Sequence, residues 1–76
     1  METKKVIKLT PYQVRDFVSA ATKCDFDVDV SYNRYTVDAK SILGVFGLNF
    51  DRPLTVRYRG FNKDFENYLS DHAVAC

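Results

Sequence analysis

The stretch DFDVDVSYNRYTVDA, residues 25–39, limits what this chain can fold into more than any other segment. Through 25–32 the side chains alternate strictly, with Phe26, Val28, Val30 and Tyr32 on one side and Asp27, Asp29 and Ser31 on the other. Successive residues of a strand point to opposite faces, so a period of two predicts one buried face and one wetted face. Asn33–Arg34 then supplies a tight two-residue turn, because asparagine tolerates positive φ. The return strand carries Tyr35, Val37 and Ala39 on one face and Thr36 and Asp38 on the other. A lone hairpin is not stable in water, so its apolar face needs a cover from elsewhere in the chain.

The flanking segments supply that cover. KKVIKL (4–9) reads as a first strand, its lysines suited to an edge or an open face. In TPYQVRDFVSAATK, Thr10 stands as N-cap and Pro11 at the first helical position. Val14, Phe17, Val18 and Ala21 follow at helical spacing and make one apolar face, and Lys23 near the end complements the helix dipole. Ser41 is placed to cap a short second helix running to about Leu48 or Asn49. RPLTVRYRG (52–60) alternates again, Leu54, Val56 and Tyr58 opposing Thr55, Arg57 and Arg59, and Gly60 ends it. NKDFENYLSDHAVA closes the chain as a helix capped by Asn62, with Asp64 and Glu66 in its first turn and Phe65, Tyr68, Leu69 and His72 along one face. The order βαββαβα predicts an α+β, open-faced β-sandwich: a four-stranded antiparallel sheet with three helices on one face. The other face would hold Asp27, Asp29, Ser31, Thr36, Asp38, Thr55, Arg57 and Arg59, polar enough to stand in water.

With 76 residues there is one domain, 1–76, and no second core. A net charge of +1 gives no global attraction to nucleic acid or acidic membranes, so any electrostatic recognition must be local. Cys24 and Cys76 form no CxxC pair, and the single His72 does not complete a metal site with them; no metal or cofactor is expected. The Asp25, Asp27, Asp29 series follows from strand alternation rather than from a calcium loop. No Ser/His/Asp order, paired-carboxylate spacing or phosphate-cradling glycine loop appears, so the chain is not expected to be an enzyme. The charged start METKKVIKLT lacks the apolar stretch of a signal peptide, and no apolar run approaches the ~20 residues that span a bilayer. The expectation is a soluble, cytoplasmic monomer without a membrane partner.

One stretch carries more apolar bulk than its fold requires. YTVDAKSILGVFGLNF (35–50) brings Ile42, Leu43, Val45, Phe46, Leu48 and Phe50 to a helix of about two turns. Val45 and Leu48, three apart, are placed to face the sheet. Ile42, Leu43 and Phe46 then cluster on a different side. Either that cluster is a contact face, or the helix sinks until Ile42 or Phe46 joins the core. Gly44 and Gly47 lower the relief around it, each weakening the helix by about 1 kcal/mol. A second function class rests on TVRYRGF (55–61), where arginines interleave with aromatics as in sheets that bind single strands of nucleic acid by stacking and charge.

The element order and the Ala39–Lys40–Ser41 junction, followed by Ile42, Leu43, Val45, Phe46 and Leu48, resemble the histidine-containing phosphocarrier (HPr) family of the bacterial sugar phosphotransferase system. FVSAA (17–21) on the first helix is a second anchor, and the spacing between the two fits without a gap. The resemblance implies the open-faced fold, a cytoplasmic bacterial setting and protein partners, a kinase or a transcriptional regulator, met through Ile42, Leu43 and Phe46. It also implies that Ser41 is a regulatory phosphorylation site. It departs where the family does its chemistry. The family's phosphoacceptor histidine falls on Thr10, its arginine on Tyr12 and its proline on Gln13. A phosphoimidazole is a reactive P–N species, whereas a threonine phosphate is a stable ester with a poor leaving group. Thr10 therefore cannot relay phosphate by this route, and the expectation is a non-catalytic regulatory or docking variant. His72, mid-face on the last helix, is expected to be a satisfied, half-buried side chain.

Overall fold

The hairpin predicted from alternation forms the acidic half of the sheet. In the computed structural model, which describes residues 2–74, the strands are β1 (Thr3–Ile7), β2 (Val28–Tyr32), β3 (Tyr35–Asp38) and β4 (Leu54–Tyr58). The helices are α1 (Val14–Thr22), preceded by a 3-10 turn at Pro11–Gln13, α2 (Ile42–Phe46) and α3 (Lys63–His72). All neighbouring strands pair antiparallel in the order β1-β4-β2-β3, and Asn33 makes the hairpin turn at φ 57°. The chain is thus an α+β open-faced sandwich.

Register decides which side chains the helices cover. Ile7 pairs with Leu54, Lys5 with Val56, and Val30 with both Val56 and Val37, so these share the inner face. Ile7, Val28, Val30, Leu54 and Val56 are fully buried there against Val14, Phe17, Ala21, Val45, Phe65 and Leu69 of the helices. Lys5 lies on this inner side of an edge strand, half-buried. An inward-pointing charge on an edge discourages a foreign strand from pairing.

Aromatic rings link the sheet to the helices. Phe26 stacks on Tyr58 at 5.6 Å, Tyr58 meets Phe65 edge-on at 5.4 Å, and Phe17 lies 6.4 Å from Phe65 and 6.2 Å from Tyr68. The Tyr58 hydroxyl donates to Glu66 Oε2, which gives the buried phenol the partner it needs inside an apolar wall. Burial first, and the bond to Glu66 second, hold the Tyr58 hydroxyl's pKa well above its ordinary value.

Several local expectations are corrected. β1 ends at Ile7 rather than at Leu9, yet Leu9 remains buried. The closing helix ends at His72, and Ala73 is extended (φ −64°, ψ 144°). The edge of β1 competes for this segment: Lys8 N–H donates to His72 O at 3.0 Å and Val74 N–H to Val6 O at 3.1 Å. Backbone groups on an open edge otherwise bond only to water, and this short pairing covers them. The expected Ala75 end of that helix and Cys76 lie outside the described residues. Tyr35 belongs to the inner face by register but overhangs the hairpin end, 70% exposed. Ser31, expected in water, is buried on the open face, its hydroxyl donating to Thr55 O at 3.5 Å.

Candidate protein-docking site

The junction at Ala39–Lys40–Ser41 sets the position of α2 through three separate bonds. Ala39 is fully buried, and its N–H donates to Val28 O at 2.8 Å. Lys40 Nζ donates to Cys24 O at 3.0 Å, so a cation meets the carbonyl end that follows α1. The Lys40 N–H donates to Asp38 Oδ1 at 2.8 Å, closing the turn out of β3. Ser41 is exposed and occupies the N-cap position, its Oγ accepting from Gly44 N–H at 3.3 Å. One short helix is thereby tied to β2, β3 and the end of α1.

On this helix the six apolar residues divide. Val45 is fully buried, Leu48 is buried just beyond the helix, and Phe50 packs half-buried against the core. Ile42 is 38% exposed, Leu43 82% and Phe46 46%. Ile42 and Phe46 are not in the buried core, because Val45 and Leu48 already fill the inner side. α2 is shorter than the expected span to Leu48 or Asn49: Gly47 caps it, and the following N–H groups return three residues back, Gly47 to Gly44 O and Leu48 to Val45 O at 3.1 Å each. Gly44 has a different role from the one its sequence position suggests. A Cβ there would meet Val37 Cβ and Ser41 Oγ at 3.3 Å, so Gly44 lets the helix approach β3 and does not flatten the outer side.

At the C-terminal end of α2 the surface dips. Lys8, Leu9, Thr10 and Pro11 face Leu48, Asn49, Phe50 and Asp51 across an open hollow of about 490 Å³, and Lys8 Nζ donates to Phe50 O at 3.1 Å. Thr10 lies on its wall at the N-cap of the 3-10 turn, where its N–H donates to Gln13 Oε1 at 2.9 Å. Tyr12 follows, 95% exposed. This region therefore offers a hydroxyl and a phenol, with no imidazole or guanidinium from Thr10, Tyr12 or Gln13. His72 sits on the last turn of α3 with Nδ1 2.9 Å from Tyr68 O and its ring stacked on Tyr68 at 4.3 Å. Cys24 is buried, and desolvation pushes its thiol's pKa up, the direction that makes a thiol unreactive. Among the described residues no three His, Cys, Asp or Glu side chains are placed to hold a metal ion, and no helix is long and apolar enough to cross a membrane.

The open sheet face answers the nucleic-acid alternative. Register places Lys4, Arg57, Asp29 and Asp38 side by side across the four strands. The cations Lys4, Arg57 and Arg59 lie on β1 and β4 and beyond β4. Asp27, Asp29 and Asp38 fill the β2–β3 half. A backbone-tracking groove must be continuously basic, and half of this one is acidic. Of the two aromatics in TVRYRGF, Tyr58 is buried on the other side at 3% exposure, and the exposed Phe61 lies beyond the strand. The strand-binding alternative is not favoured.

The split along α2 follows from helical spacing in the sequence. The hollow, and the separation of charge across the sheet, depend on strand order and on a loop meeting, and neither has a local signal.

The chain matches no protein-family model and no curated protein sequence. Among solved structures it is similar to the crystal structure of a phosphocarrier protein HPr from Bacillus anthracis str. Ames, with a TM-score of 0.69 and 18% identity over 97% of this chain and 96% of that one. The chain has the fold of the histidine-containing phosphocarriers.

Proposed function

We propose that this protein is a non-catalytic docking and regulatory variant built on the phosphocarrier fold. Its contact face is Ile42, Leu43 and Phe46, and Ser41 beside them is a regulatory phosphorylation site. One observation carries the reading: α2 buries Val45, with Leu48 buried just beyond it, yet leaves three large apolar side chains open on a helix of five residues. Stability alone does not require this, because exposed apolar groups gain nothing from the fold. Contiguous apolar groups beside polar neighbours are the usual composition of a protein contact. Thr10 and Tyr12, at the positions of the family's histidine and arginine, do not carry phosphate. The partner, a kinase or transcriptional regulator in a bacterial cytoplasm, presents an apolar surface to α2.

A phosphate on Ser41 adds about −1.5 to −2 charges directly beside Ile42 and Leu43. It either attracts a cationic partner or repels an apolar one, and so switches the same surface. The test is capture of partners from the host lysate by the tagged protein, beside Leu43→Asp and Phe46→Ala. Both variants keep the wild-type melting temperature within about 3 °C, since neither side chain is in the core. Both lose the partners that the wild type retains. Identical catches by all three proteins contradict the docking face.

A further inference from the structure

The open sheet face holds two like-charged cross-strand pairs. Lys4 is the direct cross-strand partner of Arg57, and Asp29 is that of Asp38. Like charges directly opposite on one face are destabilising. Between β4 and β2, where Arg57 pairs with Asp29, opposite charges meet, and Glu2 adds a carboxylate to the hollow that Arg57 and Arg59 line. The row therefore reads plus, plus, minus, minus across the sheet. The next row holds Val6, Thr55, Ser31 and Thr36, uncharged and low in relief, with Ser31 buried among its neighbours.

The geometry points to a second copy of this chain as the occupant of that face. The pattern is complementary to itself under one operation. A two-fold axis between two facing sheets, parallel to the strands and midway between β4 and β2, lays β1 over the partner's β3 and β4 over its β2. Lys4 then faces the Asp38 position of the second copy, Arg57 the Asp29 position, and Arg59 the Asp27 position, and symmetry repeats each contact. Faces packed in this way keep their strands within about 30° and sit about 10 Å apart, a gap that lysine and arginine span to reach aspartate. The uncharged row permits this approach, as Val6 and Thr55 meet Thr36 and Ser31. Asp38 keeps its bond to the Lys40 N–H through Oδ1, which leaves its second oxygen for the contact.

Size makes the association weak. Four strands about 4.8 Å apart and five residues long cover roughly 320 Å² per copy, below the ~800 Å² of a stable complex. Pairing therefore appears only at high concentration and low salt. The helices lie on the opposite side, so the pair presents two copies of α2 outward; the inference does not depend on what α2 binds.

Charge reversal tests it: Lys4→Glu removes a like-charged contact within the monomer, and Asp38→Lys removes the other while giving up the carboxylate that accepts the Lys40 N–H. Sedimentation velocity at about 1 mM protein and about 20 mM salt should give concentration-dependent dimer for the wild type, lost at about 0.5 M salt, where screening is short-ranged. Each variant alone should associate at least tenfold more weakly, with Lys4→Glu melting at or above the wild-type temperature and Asp38→Lys melting somewhat below it for want of the turn bond. An equimolar mixture of the two should recover a dimer, since the carboxylate introduced by Lys4→Glu in one copy then faces the ammonium introduced by Asp38→Lys in the other. In two-dimensional NMR, concentration should move the amides of Thr55, Arg57 and Asp29 and leave Leu43 and Phe46 in place. A wild type that stays monomeric, variants that associate like it, a mixture that stays apart, or shifts confined to α2 would each overturn the inference.

Discussion

Gly60 and Thr10 show how much a single position decides here. Gly60 adopts φ 155°, in the region where side chains are strained, and a Cβ there would fall 2.3 Å from the Phe26 ring. Because Phe26 stacks on Tyr58, and Tyr58 in turn contacts Phe65, the absence of one methyl seats the first ring of an aromatic chain that reaches α3. Gly60→Ala should cost on the order of 2–3 kcal/mol, from backbone strain together with displacement of the ring. Denaturant titration checks this, and a loss below about 0.5 kcal/mol would show that the loop relaxes freely. On the proposed reading, Thr10 decides the chemistry in the same way. Where the resemblance calls for a ring nitrogen that gives up phosphate readily, the chain has a hydroxyl, and no rearrangement of the backbone supplies the missing leaving group. That expectation comes from the sequence alone, because it depends on residue identity at a counted position.

Among the elements, α2 and the β4–α3 contact carry the account. The surplus of apolar residues at 42–48 was legible because helical spacing sorts side chains before any contact is known. What Gly44 does was not, since its neighbour Val37 becomes a neighbour only when helix and strand meet. The end of α3 was misread for a related reason. A run such as DHAV has helical composition, and only the free edge of β1 draws Ala73 and Val74 into an extended path. Tyr58 at the β4–α3 contact and Tyr68, which packs α3 on Phe17 of α1, also give a pH dependence. Burial, and then the charge of Asp16, raise the Tyr68 hydroxyl from 10.0 to about 12, and Tyr58 is shifted in the same direction by burial and Glu66. In the unfolded chain both phenols lose their protons near pH 10, while the folded protein retains them. The folded state then binds more protons, so this stability is complete below about pH 10 and is lost as pH rises towards about 12. Melting temperature should hold to about pH 10 and fall steeply above it, less steeply in Tyr58→Phe, where one of the two phenols is gone. A flat profile to about pH 12 would contradict the burial of these hydroxyls.

For the molecule as a whole, two faces of one sheet have been given different tasks. The inner face is closed by three helices and holds the core, and the outer face carries segregated charge. Strand order was the part least visible in advance. Alternation announces each strand and its two sides, but not that β4 enters between β1 and β2, and it is this insertion that gathers Lys4 with Arg57 and Asp29 with Asp38 on one row. The fold class was legible because every segment's period agreed with a single layered arrangement. The central claim is that the phosphocarrier scaffold remains here without its phosphate chemistry. Its most direct test is incubation of the purified protein with phosphoenolpyruvate and the donor enzyme of a sugar phosphotransferase system, followed by mass spectrometry before and after mild acid. The account predicts an unmodified mass throughout, under conditions in which a histidine-bearing phosphocarrier is fully labelled. Acid-labile phosphate on this chain, at His72 or anywhere else, would contradict it.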